Sequence, residues 1–161
     1  MAEWFTAQLS RIFIMLGISA TPLIELRGAI PYGAAMGVPF WENIMLCIIG
    51  NMIPVPFIIL FIRKIFDWLR AKELFERQIA WLERRVLRKS DMVKKYELLG
   101  LILFVAIPLP GTGAWSGALL AALMDIRLRS AIPAILIGVV IAGFLVGGVS
   151  YGFINFLNFM F

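Results

Sequence analysis

The sequence predicts an all-α integral membrane protein with an inverted repeat. In this fold, a re-entrant helical hairpin followed by a transmembrane helix occurs twice, and a basic amphipathic cytoplasmic helical loop connects the two copies. The chain has 161 residues, 61% of them hydrophobic, and its mean hydropathy of +0.93 exceeds the range of soluble domains. Eleven of the 15 basic residues lie within positions 63–95. Two apolar segments are each interrupted, one by charged residues and one by prolines and glycines, and together these features predict one membrane domain.

One interruption lies within the charge-free run 98–124. Pro108 and Pro110 remove two backbone donors, and Gly111 and Gly113 permit backbone angles that break a helix. Each limb has about ten residues, so as a helix it would span ~15 Å, half of a ~30 Å hydrocarbon core. Unpaired backbone groups occur at membrane depth only where protein or water surrounds them. The segment therefore predicts a hairpin that re-enters the membrane and forms a transport or binding site.

The chemistry of this break suits an anion. It offers backbone amides, the hydroxyl of Thr112 and the N-terminus of a helix expected to begin near Ala114. The alternative explanation is a simple tight turn, although two prolines, two glycines and a threonine exceed what a turn requires. Trp115 follows directly, and we expect it either to contact a substrate or to pack within the core.

The other broken segment carries charge. Its limbs are 12–24 and 28–40, and Glu25 and Arg27 lie between them. Ionisable groups at membrane depth are costly unless paired or hydrated, which favours a functional role. Because burial favours the neutral form of a carboxyl group, Glu25 could bind and release a proton and so couple transport to the proton gradient. Arg27 suits a phosphate or carboxylate. The alternative is a mutual salt bridge that only holds the hairpin together.

The predicted order along the chain is hairpin 12–40, transmembrane helix 42–62, loop 63–95, hairpin 96–124 and transmembrane helix 130–158. Because cytoplasmic loops carry an excess of Lys and Arg, the loop is placed inside and the hairpins enter from opposite faces. Broken helices that meet at the midplane of an inverted repeat are typical of secondary transporters. In the alternative topology both broken segments are ordinary kinked spans, which gives four crossings.

The basic loop contains large apolar residues near a seven-residue repeat. This pattern predicts one or two amphipathic helices that lie on the inner leaflet or against a partner copy. Nucleic acid is not an expected partner, because a membrane-facing basic helix explains the same pattern. We therefore expect a multi-pass protein of the inner (plasma) membrane, in contact with the lipid bilayer.

Three other polar residues are candidates for the site. Asn51, beside Gly50, is expected to bind either a substrate or the carbonyls freed where prolines kink its own helix. Arg127 and Arg129 lie near the end of a span, where interfacial anchoring also explains them, and they are secondary candidates.

Several function classes are excluded. The chain has no histidine, which excludes histidine-based catalysis, and its single cysteine, Cys47, excludes an internal disulfide and a multi-cysteine metal site. We expect no enzyme activity, no cofactor and no metal. Because two transmembrane helices cannot enclose a pathway alone, we expect a homo-oligomer, most simply a dimer.

Several stretches resemble the bacterial and archaeal small multidrug export proteins, and the resemblance covers nearly the whole chain. These stretches are 22–31 (PLIELRGAIP), Gly50-Asn51 with Pro54 and Pro56, Tyr96 with Gly100, and 104–117 (FVAIPLPGTGAWSG). That family is distantly similar to the DedA (VTT) membrane proteins, for which paired re-entrant hairpins are proposed. DedA proteins are associated with movement of lipids or polyprenyl phosphates and with proton-gradient-dependent resistance.

The resemblance implies roles for particular residues. Glu25 resembles the acidic residue of the first DedA hairpin, and Arg127 or Arg129 resembles one of the DedA arginines. In the second hairpin this chain has Gly and Thr where DedA proteins usually carry an arginine.

Three functions follow as competing expectations. The first is proton-coupled export of a small or amphiphilic substrate, with Glu25 as the coupling acid and the two hairpin tips as the site. The second is a lipid-phosphate flippase or scramblase that uses Arg27 and the amides near Gly111 and Gly113. The third is a non-transporting scaffold whose basic helix recruits partners to the membrane.

Overall fold

The computed structural model of the chain describes residues 2–71, 90–109 and 111–160, and every regular element in these ranges is an α-helix. Prolines and glycines lie at or next to most of the interruptions, because they disfavour a continuous helix. The helices of the described residues are α1 Ala2–Ala20, α2 Glu25–Ala35, α3 Phe40–Met52, α4 Pro54–Ala71, α5 Ser90–Ala106, α6 Ala114–Leu123 and α7 Leu128–Met160.

Two stretches are long and apolar enough to cross a membrane. The first span, Phe40–Ile65, joins α3 and α4 across a break at Ile53, next to prolines that lack a backbone donor. The second span, Leu128–Phe156, lies within α7. Only 33% and 39% of their most apolar windows are buried, so most of each surface faces outwards, unlike a core helix of a soluble protein. The predicted all-α fold with two helices able to span a membrane is confirmed for the described residues.

The two spans run antiparallel. At one end the rings of Phe40 and Tyr151 pack edge to face with centroids 5.2 Å apart, so the first span begins beside the end of the second. At the other end the guanidinium of Arg63 donates to the carbonyl of Ile126, which precedes the second span. The spans therefore define two opposite faces, separated by roughly 30–35 Å for this length of helix.

The remaining apolar helical stretches, Leu9–Ala20, Tyr96–Ala106 and Ala114–Leu123, are shorter than the two spans. Together with α2 they flank two breaks. Helices α1 and α2 flank residues 21–24, and α5 and α6 flank residues 107–113. The second break has the bounds that its prolines and glycines predict. The first was predicted at Glu25–Arg27 but lies earlier, because Pro22 follows the end of α1 and Glu25 already begins α2.

Glycines allow the short helices to pack closely on the spans. A Cβ at Gly50 of α3 would lie 2.7 Å from the carbonyl oxygen of Leu16 in α1. A Cβ at Gly138 of α7 would lie 2.8 Å from the carbonyl oxygen of Ile102 in α5. Small residues allow helix backbones to approach closely in lipid, so these two contacts position the limbs that lead to the breaks.

Helices α2 and α6 end in the same motif, which returns the chain to a span. The N–H groups of Val38 and Ile126 each donate at 3.0 Å to a carbonyl in the last helical turn. The preceding residues, Gly37 with φ of 74° and Asp125 with φ of 54°, adopt the left-handed conformation. These are features of the Schellman motif, in which a buried apolar residue follows the helix end. The two loops, 36–39 and 124–127, lie at opposite faces.

The predicted amphipathic loop falls partly outside the described residues. Helix α4 continues the first span to Ala71, and α5 begins at Ser90. Residues 72–89, which carry most of the predicted amphipathic pattern, lie outside the described residues.

Candidate functional site

The two breaks lie against each other. Helix α1 ends at Ala20 and α2 begins at Glu25, while α5 ends at Ala106 and α6 begins at Ala114. Hydrogen bonds connect residues around one break with residues that follow 80 to 95 positions later around the other. The structure therefore brings together the charged segment and the Pro-Gly segment.

Glu25 reaches the N-terminus of α6. Its side chain is buried, with 5% exposure, and its Oε1 accepts a hydrogen bond from the backbone N–H of Trp115 at 3.1 Å. A helix N-terminus has unpaired N–H groups and partial positive charge, so a carboxylate is favourable there. Glu25 also has a φ of 51°, in the left-handed region that non-glycine residues seldom adopt. Such strained residues occur often at functional sites.

Gly113 makes room for this carboxylate. It precedes α6 with a φ of 137°, which favours glycine, and it has no side chain to cap the helix. A Cβ at this position would overlap the carboxylate of Glu25. A glycine is therefore needed here both for the backbone conformation and for the approach of Glu25.

Arg27 binds the end of the other broken helix. Its Nη2 donates to Thr112 Oγ1 at 2.7 Å and to the carbonyl of Ile107 at 3.2 Å, and its Nη1 donates to the carbonyl of Leu109. The Thr112 hydroxyl lies 2.8 Å and 2.9 Å from the same two carbonyl oxygens. These carbonyls follow the end of α5, where the prolines of the break supply no N–H groups. Each of these carbonyls also accepts a local backbone N–H, from Leu109 or Thr112, so Arg27 and the Thr112 hydroxyl add further donors to the same turn.

The two charges match the two helix ends. The negative Glu25 lies at the positive N-terminus of α6, and the positive Arg27 lies at the negative C-terminal end of α5. The described ion pairs include none between Glu25 and Arg27. The alternative of a mutual salt bridge is therefore wrong, because each charge is directed at the second break.

Trp115 returns the contact to the first break. Its indole Nε1 donates to the carbonyl of Ala20, the last residue of α1, at 3.2 Å. In the same way, Arg27 donates to the carbonyl of Ile107, which directly follows α5. Each broken segment thus has a side-chain donor from the other segment at the end of its first helix.

Asn51 lies near the end of α3 and is fully buried. Neither its Oδ1 nor its Nδ2 has a hydrogen-bond partner among the described residues. It therefore does not pair with the carbonyls of its own kinked helix, which was one of its two expected roles. An unpaired buried amide costs about 1–3 kcal/mol, so it is uncommon unless something else binds it. The substrate role of Asn51 stays a prediction.

The other predicted site residues divide into two groups. Pro108 and Gly111 are exposed within the second break, and Gly111 has a φ of 86° that favours glycine. Pro110 lies outside the described residues. Arg127 and Arg129 are exposed beside the start of α7, at the face to which α6 returns. The structure therefore does not bring these two arginines to the breaks.

Exposed apolar side chains border the charged groups. Leu23 in the first break is 96% exposed, and Ile107 and Leu109 in the second are 47% and 55% exposed. Charged groups and exposed apolar side chains thus occur together around the two breaks.

A buried polar cluster farther from the breaks was missed in the sequence. The Nδ2 of Asn43 donates to the carbonyl of Ile30 at 2.8 Å and to the hydroxyl of Tyr151 at 3.0 Å. The Tyr151 hydroxyl donates to the carbonyl of Val38 at 2.5 Å. The signal was the presence of Asn43 and Tyr151 within or beside otherwise apolar spans.

A family model described as "Putative small multi-drug export protein" matches residues 25–145 of the chain. This range begins directly after the first break and contains α2, the second break, the first span and most of the second. No curated protein and no solved structure shows a significant match to the chain.

Proposed function

Because the chain belongs to the family of small multi-drug export proteins, we propose that it is a proton-coupled transporter of a small amphiphilic substrate. The two helix breaks form its site, and Glu25 is the coupling acid. The observation that carries the proposal is the hydrogen bond between the Glu25 carboxylate and the backbone of Trp115. Through this contact one titratable group of the first break binds the helix that follows the second.

The proposal places both breaks at the membrane midplane. Helices α2 and α6 have 11 and 10 residues, so each is ~15–16 Å long, about half of the hydrocarbon thickness. Each connects a loop at one face to a break, and the loops lie at opposite faces. Two re-entrant hairpins of opposite orientation account for this arrangement. The basic residues that follow the first span support a cytoplasmic position for the 124–127 loop.

Matching positions support an inverted repeat. Arg27 and Trp115 have the same role, since each donates to the end of the other half's broken helix, and they are 88 positions apart. The same interval separates Glu25 from Gly113. Of these two equivalent positions, only Glu25 carries a side chain. Its carboxylate occupies the space that a side chain at Gly113 would need.

Proton coupling follows from what Glu25 binds. An ionised Glu25 stabilises the N-terminus of α6, whereas a protonated Glu25 has lost the charge that favours this position. Protonation therefore weakens the contact between the two breaks and removes the negative charge that a cationic substrate such as ethidium would bind. Proton and substrate thus compete for Glu25.

Reconstituted liposomes test the proposal. We expect an imposed pH gradient to drive movement of the fluorescent probe ethidium through the wild-type protein. Glu25→Gln keeps the shape of the side chain but removes the titrating group, so driven movement should fall to the level of empty liposomes. Glu42→Gln is the matched control, because Glu42 is exposed at the start of the first span. Driven movement at the wild-type rate in Glu25→Gln would exclude Glu25 as the coupling acid.

A lipid-phosphate flippase is the second candidate, and the exposed apolar residues beside Arg27 favour it. An acyl chain could lie against Leu23 and Leu109 while its phosphate binds Arg27 and the amides of α6. Liposomes with fluorescent phosphatidylglycerol in one leaflet test this candidate. Transfer should exceed that in empty liposomes and fall in Arg27→Ala. Equal transfer with and without the protein would rule the candidate out.

A scaffold function would depend on the basic loop, most of which lies outside the described residues. Deletion of residues 72–89 with a short flexible replacement separates the two classes. Ethidium movement that survives this deletion makes the loop accessory to transport.

A further inference from the structure

Each half of the molecule closes the hairpin of the other half with one side chain. The Tyr151 hydroxyl of the second span donates to the carbonyl of Val38 at 2.5 Å, and Val38 lies in the loop after α2. We call this contact the tyrosine latch. It fastens α2 to a span that lies more than a hundred positions away along the chain.

The second half has the reciprocal contact. Arg63 of the first span donates through Nη2 to the carbonyl of Ile126, which lies in the loop after α6. The same guanidinium lies 3.7 Å from the carboxylate of Asp125. We call this contact the arginine latch.

The two latches correspond position by position. Val38 and Ile126 are 88 residues apart, and both are the buried residue that follows a Schellman motif. Arg63 and Tyr151 are also 88 residues apart. In both halves the donor comes from the far end of the other span, and the acceptor is the equivalent backbone carbonyl. The side chains differ, but the position and the acceptor are the same.

The latches lie at opposite faces. The tyrosine latch is beside Phe40, where the first span begins, and the arginine latch is where that span ends. Helix α2 leads from the tyrosine latch to Glu25 and Arg27, and α6 leads from the arginine latch to Gly113. Each latch therefore holds one limb of the site, at one face only.

We propose that Tyr151 and Arg63 are paired positioning residues that close the site from opposite faces, so that release of one latch admits water from one face only. The proposal rests on the membrane placement of the breaks proposed above. It goes beyond proton coupling, because it assigns the two openings that a transporter needs to two named contacts.

The two latches differ in chemistry, so an experiment that varies ionic strength can distinguish them. The tyrosine latch is neutral and is supported by Asn43, whose Nδ2 lies 3.0 Å from the Tyr151 hydroxyl. The arginine latch is ionic, and its Asp125 side chain is 86% exposed. Salt screens exposed charges, so only the arginine latch should weaken as ionic strength rises.

Side-specific thiol labelling tests the proposal. The full chain with Cys47→Ala receives one reporter, Leu23→Cys in the first break or Leu109→Cys in the second. It is reconstituted in liposomes of known orientation, and a membrane-impermeant maleimide is added to one face at a time. Tyr151→Phe should raise labelling about fivefold from the face of the 36–39 loop, as expected for loss of one net hydrogen bond. Arg63→Gln should raise it by a similar factor from the other face.

Matched variants control for general loosening. Tyr96→Phe and Lys64→Gln alter exposed residues of the same chemical type that belong to neither latch, and they should leave labelling unchanged. If Arg63→Gln unfolds in detergent, Arg63→Lys replaces it in the assay. Because lysine keeps the positive charge, we expect labelling of this variant to lie between that of the wild type and that of an open latch. Labelling that rises from the same face in both latch variants, or that changes at neither reporter, would overturn the proposal. The assay needs no substrate and no proton gradient, so it can succeed even if Glu25→Gln still transports.

Discussion

Two charged residues in the first turn of α2, directly after the first break, contact backbone groups around the second break. Glu25 accepts a hydrogen bond at the start of α6, and Arg27 donates to the carbonyls that follow α5. The C-terminal end of α5 and the N-terminus of α6 thus each lie next to a side-chain charge of the favourable sign. Gly113 is the residue on which this arrangement most depends, because it is the point of closest approach.

Gly113→Ala should separate the two breaks. The added methyl group overlaps the carboxylate of Glu25 and also strains a backbone with a φ of 137°. We expect loss of pH-driven ethidium movement and a lower unfolding temperature in detergent.

Gly100→Ala is the matched control, since Gly100 lies within α5 with open space around it. Alanine has a higher helix propensity than glycine, so this variant should be at least as stable as the wild type. Equal activity of the two alanine variants would contradict the role assigned to Gly113.

The candidate residues at the breaks were largely predictable, and the latches were not. Glu25 and Arg27 are conspicuous because charge is rare in apolar segments, and Thr112 lies in a run of helix breakers. Tyr151 gives no such signal, since its acceptor is a backbone carbonyl 113 positions away. Arg63 was counted among the basic residues of the loop, because a sequence pattern does not show which one turns back to the span.

At the scale of the helices, the sequence predicts the bounds of the second break more accurately than the bounds of the two spans. The second break coincides with its prolines and glycines, because these residues act on their own backbone. The first was misplaced because charge was given more weight than Pro22. The first span extends from Phe40 to Ile65 and the second from Leu128 to Phe156, each shifted by a few residues from 42–62 and 130–158. The ends of an apolar run in the sequence do not coincide with the ends of a helix, because packing and the return loops also determine where the helix begins and ends.

Two adjacent glycines in α7 test how the spans pack. A Cβ at Gly147 would lie 2.8 Å from the Ile44 side chain and 3.2 Å from Phe40, whereas one at Gly148 meets nothing within 4 Å. Gly147→Val should therefore destabilise the protein by about 1–3 kcal/mol through overpacking. Gly148→Val should change the free energy of unfolding little. Unfolding in a detergent series measures both, and equal destabilisation would show that α3 and α7 do not pack at Gly147.

At the scale of the molecule, each half completes the other. Arg27 and Trp115 exchange contacts between the breaks, and Arg63 and Tyr151 exchange contacts between the spans and the return loops. The repeated pattern of broken segment and span was visible in the sequence. The exchange itself was not, because it depends on long-range contacts between residues of different chemical types.

Two spans leave much apolar surface uncovered, and we expect the working unit to be a homodimer. The detergent-corrected mass from light scattering should equal two copies of the 18.1 kDa chain. The same measurement in lipid nanodiscs controls for dissociation by detergent. A mass of one copy in both environments would contradict this expectation.

The central claim is that Glu25 couples proton movement to a substrate pathway formed by the two breaks. The most direct test reverses the driving force: an ethidium gradient is imposed across liposomes, and proton movement is followed with an internal pH-sensitive dye. The wild-type protein should move protons in response to the gradient. Glu25→Gln should move none, whether or not ethidium still crosses down its gradient, and Glu42→Gln should behave as the wild type. Proton movement at the wild-type rate in Glu25→Gln would contradict the claim.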